Sequence, residues 1–403
     1  MPKQILMTPG PTPVAEATLM KMALPVPHHR HPGFKAILHE IREGLKYLFQ
    51  TQQEVIILAS SGTGAMEGAV VNVLKKDDRV LVVQAGKFGE RWGEICRAYG
   101  VAYDEIAIPW GSAVDPAEVK KRLDQGNYRA VLVQATETST GVVHPVQEIS
   151  EITRQRDTLL LVDGITGVGV FPLPFDKWGL DALVTGSQKA LMLPPGLAFA
   201  CLSPRAWEAG KHSDLPKYYF NFSKEKKNLD KDQTAYTPAI TLLVGLQEVL
   251  AGIKAQGLEN MFAQHRRLAQ ATRAAVGALG LKLYANPPSE GLTAVQAPEG
   301  LDGEAIVKTM RDSYGVTIAG GQDQVKGKIF RIAHMGCIST FDVISAISAL
   351  EMTLAGMGYQ FSMGAGVGKA TEILAQAPAV FDPVFDPEAH TRREAQTRRG
   401  KKK

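Results

Sequence analysis

The sequence predicts an α/β fold: a mostly parallel, seven-stranded sheet with helices on both faces, followed by a smaller α+β domain. Seven short runs rich in β-branched residues alternate with helical patterns through the first half of the chain. Most of these runs are apolar throughout, as strands buried on both faces must be. The second half changes to a long helical stretch and then a mixed unit, and 403 residues are enough for two or three domains.

The strand runs of the first half are short and are separated by patterns with helical periodicity. The runs are 54–60, 79–86, 101–108, 129–136, 158–163, 180–186 and 196–202. The helical patterns between them are 65–74, 90–99, 116–124 and 146–156. Because ligands gather at the carboxyl ends of the strands in a parallel sheet, the residues just after each run are the first candidates for a functional site.

The second half of the chain predicts a separate, smaller domain. Residues 239–279 are helical almost throughout, with Gly245, Gly252 and Gly257 as the expected breaks. Strand candidates follow at 281–285, 292–298 and 328–334, with helix candidates at 302–313 and 341–355. The predicted divisions are an N-terminal arm at 1–17, a large domain at 18–270, a small domain at 271–360 and a flexible basic tail at 361–403.

The distribution of charge argues against a nucleic-acid partner. The chain has 45 basic and 41 acidic residues, a net charge of +4, yet residues 391–403 alone carry seven basic side chains and one acidic one. The rest of the chain is therefore close to neutral, which argues against nucleic acid as its main partner.

The cysteines and the apolar pattern predict a soluble, cytoplasmic protein. Cys96, Cys201 and Cys337 lie far apart without a CxxC pair, which excludes a disulfide framework or a zinc ribbon and fits a reducing compartment. The N-terminus reaches proline and glycine before any apolar stretch long enough for a signal peptide. The longest apolar stretch, 190–202, is interrupted by two prolines, so no membrane span is expected.

A glycine-rich motif follows the first strand run. In SSGTGAME, 60–67, the glycines let backbone N–H groups approach an anion closely, and Ser61 and Thr63 add hydroxyl groups where the next helix is expected to begin. The pattern predicts a phosphate-binding turn. Taken alone, an ordinary glycine-rich turn between a strand and a helix explains it equally well.

Two charged residues follow later strand runs. Asp163 ends the run in TLLLVDGITGVG, and Lys189 lies just past another run in GSQKALMLPPG. Alone, the aspartate could merely cap a turn, and a lone lysine is usually a surface group. The apolar, loop-forming surroundings of Lys189 favour a partly desolvated amine instead, and a lowered pKa suits a lysine to form a Schiff base with an aldehyde.

Together, the three features predict a site for pyridoxal 5′-phosphate (PLP). Its phosphate would lie in the glycine-rich turn, its aldehyde would join Lys189, and the carboxylate of Asp163 would keep its ring nitrogen protonated. Each motif is weak evidence alone, and it is the set in this order that predicts the cofactor. No metal is expected, because the adjacent histidines of HHRH, 28–31, cannot all point at one ion.

The chain resembles the class V aminotransferases of PLP-dependent transferase fold type I, in particular the serine/alanine–glyoxylate (or pyruvate) aminotransferase group. The resemblance runs from TPGPTPV at 8–14 to RIAHMG at 331–336. Its most specific stretches are SSGTGAME, ETSTGVVHP at 137–145, LVDGITGVG and WGLDALVTGSQKALMLPPGLAFACLSP at 178–204. It implies that the large domain binds PLP and that the N-terminal arm lies over the active site.

The resemblance also implies roles for the residues at matching positions around the cofactor. Lys189 would be the catalytic lysine that bonds to the cofactor and moves the proton of the substrate, and Asp163 would pair with the ring nitrogen. The remaining cofactor-binding residues would be Thr138 at the phenolic oxygen, Phe88 stacked on the ring, and Gly62, Thr63 and Gln188 at the phosphate. Family members often have tryptophan in place of Phe88, so the stacking surface here would be smaller.

Three further residues would bind the substrate. A fourth would reach the cofactor from the neighbouring subunit. Arg331, in IFRIAH, would hold the α-carboxylate of the substrate with two parallel hydrogen bonds. Gly10 and Pro11 would lie over the substrate. Thr237, in AYTPAI, would reach the phosphate from the neighbouring subunit, which implies a homodimer with shared active sites.

The activity implied by the resemblance is transamination of a small amino acid, L-serine or L-alanine, with glyoxylate or pyruvate by a ping-pong mechanism. A phosphonate-type aminotransferase of the same fold is an alternative, and so is a non-catalytic accessory subunit related to the hydrogenase-associated members. A cysteine desulfurase is disfavoured. Those enzymes have histidine where this chain has Gln188, and their catalytic cysteine precedes the small-domain arginine, whereas Cys337 follows Arg331.

Overall fold

The computed structural model describes residues 4–376 of the chain. Its strands are β1 Ile5–Leu6, β2 Val55–Leu58, β3 Arg79–Gln84, β4 Ala102–Ala107, β5 Ala130–Gln134, β6 Thr136–Glu137, β7 Val142–Val143, β8 Leu159–Asp163, β9 Ala182–Gly186, β10 Ala198–Leu202, β11 Leu292–Gln296, β12 Val316–Thr317, β13 Ala319–Gly320 and β14 Ile329–Ala333.

The helices pack on both faces of the central sheet and on the smaller sheet. They are α1 Glu16–Met22, α2 Pro32–Phe49, α3 Gly62–Val73, α4 Lys87–Ala98, α5 Pro116–Gln125, α6 Val146–Thr153, α7 Phe175–Trp178, α8 Pro204–Gly210, α9 Phe222–Leu229, α10 Ile240–Gln256, α11 Leu258–Ala278, α12 Gly303–Tyr314, α13 Thr340–Gly356 and α14 Ala365–Ala375, with a short 3₁₀ helix at Asp323–Val325. Among the described residues, none of these helices has the length and apolar composition needed to cross a membrane.

The central sheet has the predicted seven strands, in the order β2-β10-β9-β8-β5-β3-β4. The pairings β3–β4, β3–β5, β5–β8 and β8–β9 are parallel, and only β10 runs antiparallel to its neighbours. Strands β5, β8, β9 and β10 are buried at every residue, which explains why their sequences are continuously apolar instead of alternating. The predicted fold class is confirmed.

The topology brings several strand ends to one edge of the sheet. Because β10 is antiparallel to both β2 and β9, those two strands run in the same direction as β8 and β5. The carboxyl ends of β2, β5, β8 and β9 therefore share one edge, which is where a parallel sheet places its ligand. The glycine-rich turn, Asp163 and Lys189 all lie there.

The smaller domain has its own sheet and core, and the N-terminus joins it. Its three strands pair antiparallel in the order β11-β14-β13, whereas the strand candidate at 281–285 forms only an isolated bridge at Leu283. Strand β1 pairs in parallel with β12, and Met7 is fully buried in the core of the smaller domain. The N-terminal segment is thus attached to the smaller domain before it reaches the sheet edge.

The long helical stretch is broken once, and the segment predicted as a tail contains a helix. Among the expected breaks, only Gly257 interrupts the stretch, with φ of 82° between α10 and α11. Helix α14 packs its buried Ala370 and Leu374 into the core of the smaller domain, which differs from the prediction of a flexible segment starting at 361. The rest of the predicted tail, with its cluster of basic residues, lies outside the described residues.

Candidate active site

Lys189 lies three residues past the end of β9 and is almost completely buried, with 8% of its surface exposed. Its Nζ donates a hydrogen bond to the carbonyl oxygen of Pro9. Burial lowers the pKa of Lys189 to about 8; the negative charge of Asp163 opposes this shift, and Arg331 and Arg91 add to it. A lysine in this state reaches its neutral, nucleophilic form near physiological pH.

The N-terminal segment holds the backbone around Lys189. Thr12 Oγ1 donates to the carbonyl oxygen of Lys189 at 2.8 Å, and the backbone N–H of Thr12 donates to the carbonyl oxygen of Gln188 at 3.1 Å. Gly10 approaches so closely that a Cβ placed on it would lie 2.5 Å from Nζ of Lys189, and its φ of +128° also favours glycine. The structure therefore brings Pro9 and Gly10 next to Lys189, and the substrate contacts of Gly10 and Pro11 stay a prediction.

Asp163, at the end of β8, lies at the same edge and is buried. One of its carboxylate oxygens accepts a hydrogen bond from the backbone N–H of Ile165 at 2.8 Å. Burial raises the pKa of Asp163 to about 7; the Ile165 hydrogen bond opposes the shift and the nearby Glu137 increases it. A carboxylate in this environment would be stabilised by a cationic group placed beside it.

The glycine-rich turn forms the beginning of α3, as predicted, and Gln188 lies against it. A Cβ on Gly62 would meet the side chain of Ile165 at 2.5 Å, so the backbone has little space there. A Cβ on Gly186 would lie 2.9 Å from Oε1 of Gln188 and 3.4 Å from the backbone nitrogen of Gly62. Within residues 4–376, Oε1 of Gln188 is buried and has no hydrogen-bond partner. Helix-terminal N–H groups fit an anionic ligand, and the NH₂ group of the Gln188 amide could add a further donor.

Arg331 connects the smaller domain to this site. It lies on β14 and is 5% exposed; its Nη1 donates to the carbonyl oxygen of Thr138 at 2.8 Å. Its Nε and Nη2 both donate to the carbonyl oxygen of Gly320, at 3.0 and 2.7 Å. These bonds engage three of the five N–H groups of the guanidinium and leave two for a ligand. Burial lowers the pKa of Arg331 to about 10, opposed by the charges of Glu137 and Glu304.

Thr138 and Phe88 flank the same space. The hydroxyl of Thr138 donates to Oγ1 of Thr166 at 2.7 Å, and the residue is buried. Phe88 is the second residue of α4 and is partly exposed. The expected contacts of both residues with a bound ring stay a prediction.

Glu137 and Arg91 are the two residues of this region that the sequence did not single out. Glu137 is fully buried, and its carboxylate accepts backbone N–H bonds from Phe88 and Gly89 at 3.2 and 3.0 Å. Burial raises the pKa of Glu137, and hydrogen bonds from Ser139, Gly89 and Phe88 oppose the shift. The signal was present, since Glu137 begins the motif ETSTGVVHP.

Thr237 is the residue expected from the sequence to serve the neighbouring subunit. It is exposed and borders a pocket together with Ala59, Tyr219 and Tyr236. In the described part of the chain, no hydrogen bond joins it to Lys189, Asp163 or Gln188.

The histidine-rich segment at 28–31 has a local structural role. Nδ1 of His31 accepts the backbone N–H of Gly33 at 3.1 Å and so caps α2, and Nδ1 of His28 accepts that of Arg30 at 3.2 Å. Over residues 4–376, no group of three or more His, Cys, Asp or Glu side chains has the arrangement needed to hold a metal ion.

Comparison with known proteins identifies relatives along most of the chain. The soluble hydrogenase small subunit of Synechococcus sp. (strain PCC 6716) is 45% identical over 93% of this chain and 99% of that protein. The L-aspartate–glyoxylate aminotransferase of Paracoccus denitrificans (strain Pd 1222) is 38% identical over 92% of this chain and 96% of that protein. The serine–glyoxylate aminotransferase of Methylorubrum extorquens is 34% identical over 93% of this chain and 96% of that protein.

Solved structures and the family model agree with these relatives. The ureidoglycine–glyoxylate aminotransferase of Bacillus subtilis superposes with a TM-score of 0.89 at 29% identity, covering 93% of this chain and 99% of that one. The sequence model of the family "Aminotransferase class-V" matches residues 21–341 of this chain. The resemblance noted in the motifs is therefore confirmed, and the chain belongs to the class V aminotransferase family of enzymes.

Proposed function

We propose that this enzyme is a PLP-dependent transaminase that moves the amino group of L-serine or L-alanine to glyoxylate or pyruvate in a ping-pong cycle. The observation that carries the proposal is the buried amine of Lys189, with its pKa lowered to about 8, at the carboxyl edge of the sheet between Asp163 and Arg331. An idle ammonium group would be unfavourable in this place.

The residues around Lys189 fit PLP at each of its polar groups. Gly62, Thr63 and Gln188 would hold the phosphate at the start of α3, with the backbone N–H groups of the helix and the NH₂ group of Gln188 as donors. The carboxylate of Asp163 would face the ring nitrogen. The positive charge of that nitrogen would oppose the effect of burial, which raises the pKa of Asp163. Thr138 would bond the phenolic oxygen and Phe88 would pack on the ring.

When bound, PLP supplies an electron sink that stabilises negative charge at the α-carbon of the amino acid. The task of Lys189 is to remove and return the α-proton, for which an amine with a pKa of about 8 is well matched. Asp163 keeps positive charge at the ring nitrogen, and Gly10 leaves room over Nζ of Lys189.

Arg331 would orient the substrate by its α-carboxylate. The two N–H groups that its bonds to Thr138 and Gly320 leave open can donate in parallel to the two carboxylate oxygens. Lys87, a nearby cation on α4, already has a partner, because its Nζ lies 3.3 Å from a carboxylate oxygen of Asp323. This arrangement favours donors without a second carboxylate, and the glyoxylate named in several relatives supports glyoxylate as the acceptor.

A homodimer with shared sites is part of the proposal. Thr237 is exposed within the single chain, which leaves its hydroxyl free to serve a neighbouring subunit. Exposed apolar side chains also lie together near the N-terminus, where a second copy could cover them: Leu19, Met20, Leu24 and Val26 are 47%, 70%, 54% and 61% exposed.

The relatives named as hydrogenase subunits support one alternative, an accessory role without turnover. A pure scaffold would have no use for a buried lysine and a buried aspartate at the same sheet edge, and both are present here. A phosphonate-type substrate, the other alternative, would need positive charge beyond Arg331, and the nearby Lys87 is already paired with Asp323.

The visible absorption spectrum of the purified protein tests the proposal. We expect a yellow protein whose visible band bleaches with L-serine or L-alanine and returns with glyoxylate. Bleaching by L-aspartate alone, or by none of these amino acids, would contradict the proposed donors. A protein that stays colourless after addition of PLP and shows no turnover would support the accessory role.

A further inference from the structure

The side chain of Arg91 lies between two residues of the candidate cofactor site. It follows Phe88 by three positions on α4, so the two side chains share one face of the helix. Cζ of Arg91 lies 4.7 Å from the centre of the Phe88 ring. Its Nη1 donates to Oγ1 of Thr63, at the beginning of α3, at 3.3 Å. Arg91 thereby joins the starts of two helices at the sheet edge.

The positive charge of Arg91 has no carboxylate partner within ion-pair distance in the described part of the chain, in contrast to Lys87 one turn earlier. Lys87 lies within 4.0 Å of Asp323, Glu90 and Glu94. Arg91 instead contacts an aromatic face and a hydroxyl group, neither of which neutralises a guanidinium. Its positive charge also acts on the site. It adds to the lowering of the pKa of Lys189 and opposes the rise in the pKa of Asp163.

The neighbourhood of Arg91 suits an anion for two further reasons. The backbone N–H groups of Gly62 and Thr63 are the first of α3, and the helix dipole places partial positive charge there. The side-chain amide of Gln188 lies on the other side of Gly62 across Gly186, and its NH₂ group is a donor that suits a phosphate oxygen. A dianionic phosphate at this position would still need a full positive charge nearby, and Arg91 is placed to provide it.

We propose that Arg91 is a cofactor-affinity residue: it supplies the positive charge for the phosphate end of PLP. This inference rests on the proposed PLP-dependent function. It deepens that proposal by assigning the phosphate its cation.

The test compares two ligands that differ only in the phosphate. Cofactor-free protein is titrated with PLP and with pyridoxal by calorimetry, for the wild type and for Arg91→Gln and Arg91→Lys. We expect Arg91→Gln to weaken PLP binding by about 10- to 100-fold, the range of a charge-assisted contact, and to change pyridoxal binding by less than about 2-fold. Arg91→Lys keeps the charge and should recover most of the PLP affinity.

Arg97→Gln is the matched control on the same helix. Arg97 also lies over an aromatic ring, with its Cζ 5.7 Å from the centre of Tyr103, and it is exposed away from the site. Its replacement should leave both affinities unchanged. The inference would be wrong if Arg91→Gln weakened the binding of PLP and of pyridoxal equally, or changed neither affinity. It would also be wrong if Arg91→Lys bound PLP as weakly as Arg91→Gln does. A wild-type protein that binds neither ligand would instead overturn the proposed function itself.

Discussion

Nζ of Lys189 donates a hydrogen bond to the carbonyl oxygen of Pro9, a residue 180 positions earlier in the chain. Strand β1 of the same N-terminal segment pairs with β12 of the smaller domain. The segment therefore joins the smaller domain to the lysine that follows β9. The position of the smaller domain and the surroundings of the lysine are coupled through these few residues.

Replacing Gly10 by alanine should impair turnover more than folding. The new Cβ would lie 2.5 Å from Nζ of Lys189, and a displacement of about 1 Å at a reacting group costs about 100-fold in rate. Gly300→Ala is the control, because Gly300 also has positive φ, +80°, but open space around it. Steady-state rates and unfolding curves separate the two effects. Equal rate losses in both variants would show that backbone strain, not the contact with Lys189, is responsible.

Replacing Arg331 by lysine should raise the KM for the amino donor by about 10-fold or more, with a smaller effect on kcat. A lysine cannot offer two parallel N–H groups to a carboxylate, and it cannot keep the bonds to both Thr138 and Gly320. The same change at Arg311, an exposed residue paired with Asp312, should leave both constants unchanged. An unchanged KM for every donor would refute the carboxylate-binding role of Arg331.

Replacing Asp163 by asparagine should change how the stability of the cofactor-free protein depends on pH. Burial raises the pKa of Asp163 from 3.8 to about 7, so the folded state holds a proton that the unfolded state releases between these values. The wild type should therefore lose stability as pH rises from about 4 to 7, by about 2–4 kcal/mol from this group, and the variant should not. Urea unfolding at several pH values measures the difference. Parallel curves for the two proteins would mean that Asp163 is ionised at low pH in the folded state.

Replacing Glu137 by glutamine should lower the free energy of unfolding by about 1–3 kcal/mol. Both carboxylate oxygens of Glu137 accept backbone N–H bonds: one accepts from Gly89 at 3.0 Å, at the start of α4, and the other from Ser139 at 3.1 Å. Glutamine has only one accepting oxygen, so one of these bonds is lost. Glu225→Gln is a suitable control, since the buried Glu225 accepts one backbone bond, from Ala235 at 3.1 Å. If Glu225→Gln destabilised the protein as much as Glu137→Gln, the loss would reflect the replacement of any buried glutamate and not the anchoring of α4.

The features predictable from sequence are those that local pattern and strand order determine. Continuous apolar runs identified the seven strands, and the positions of Asp163 and Lys189 just after two of them placed both at one sheet edge. Contacts between distant segments were not visible in this way. The pairing of β1 with β12, and the meeting of Arg91 with Thr63, depend on how the chain returns on itself.

Helix α14 shows a second reason why the sequence prediction and the structure differ. Gly364, Gly366 and Gly368 lower the intrinsic helix propensity of this segment, so its composition predicted a flexible tail. In the structure, packing of Ala370 and Leu374 into the core of the smaller domain stabilises the helix. Carboxylate oxygens of Glu351 accept backbone N–H bonds near its start, including that of Val367 at 2.9 Å. Tertiary contacts thus outweigh local preference.

The most direct test of the account is to find where the cofactor is attached. The protein is incubated with PLP, reduced with borohydride to fix any imine bond, digested and analysed by mass spectrometry, with Lys189→Ala treated in parallel. The account predicts a pyridoxyl group on Lys189 of the wild type and none at specific sites of the variant. Stoichiometric labelling of a different lysine, or an unlabelled Lys189 in protein that has bound PLP, would contradict it.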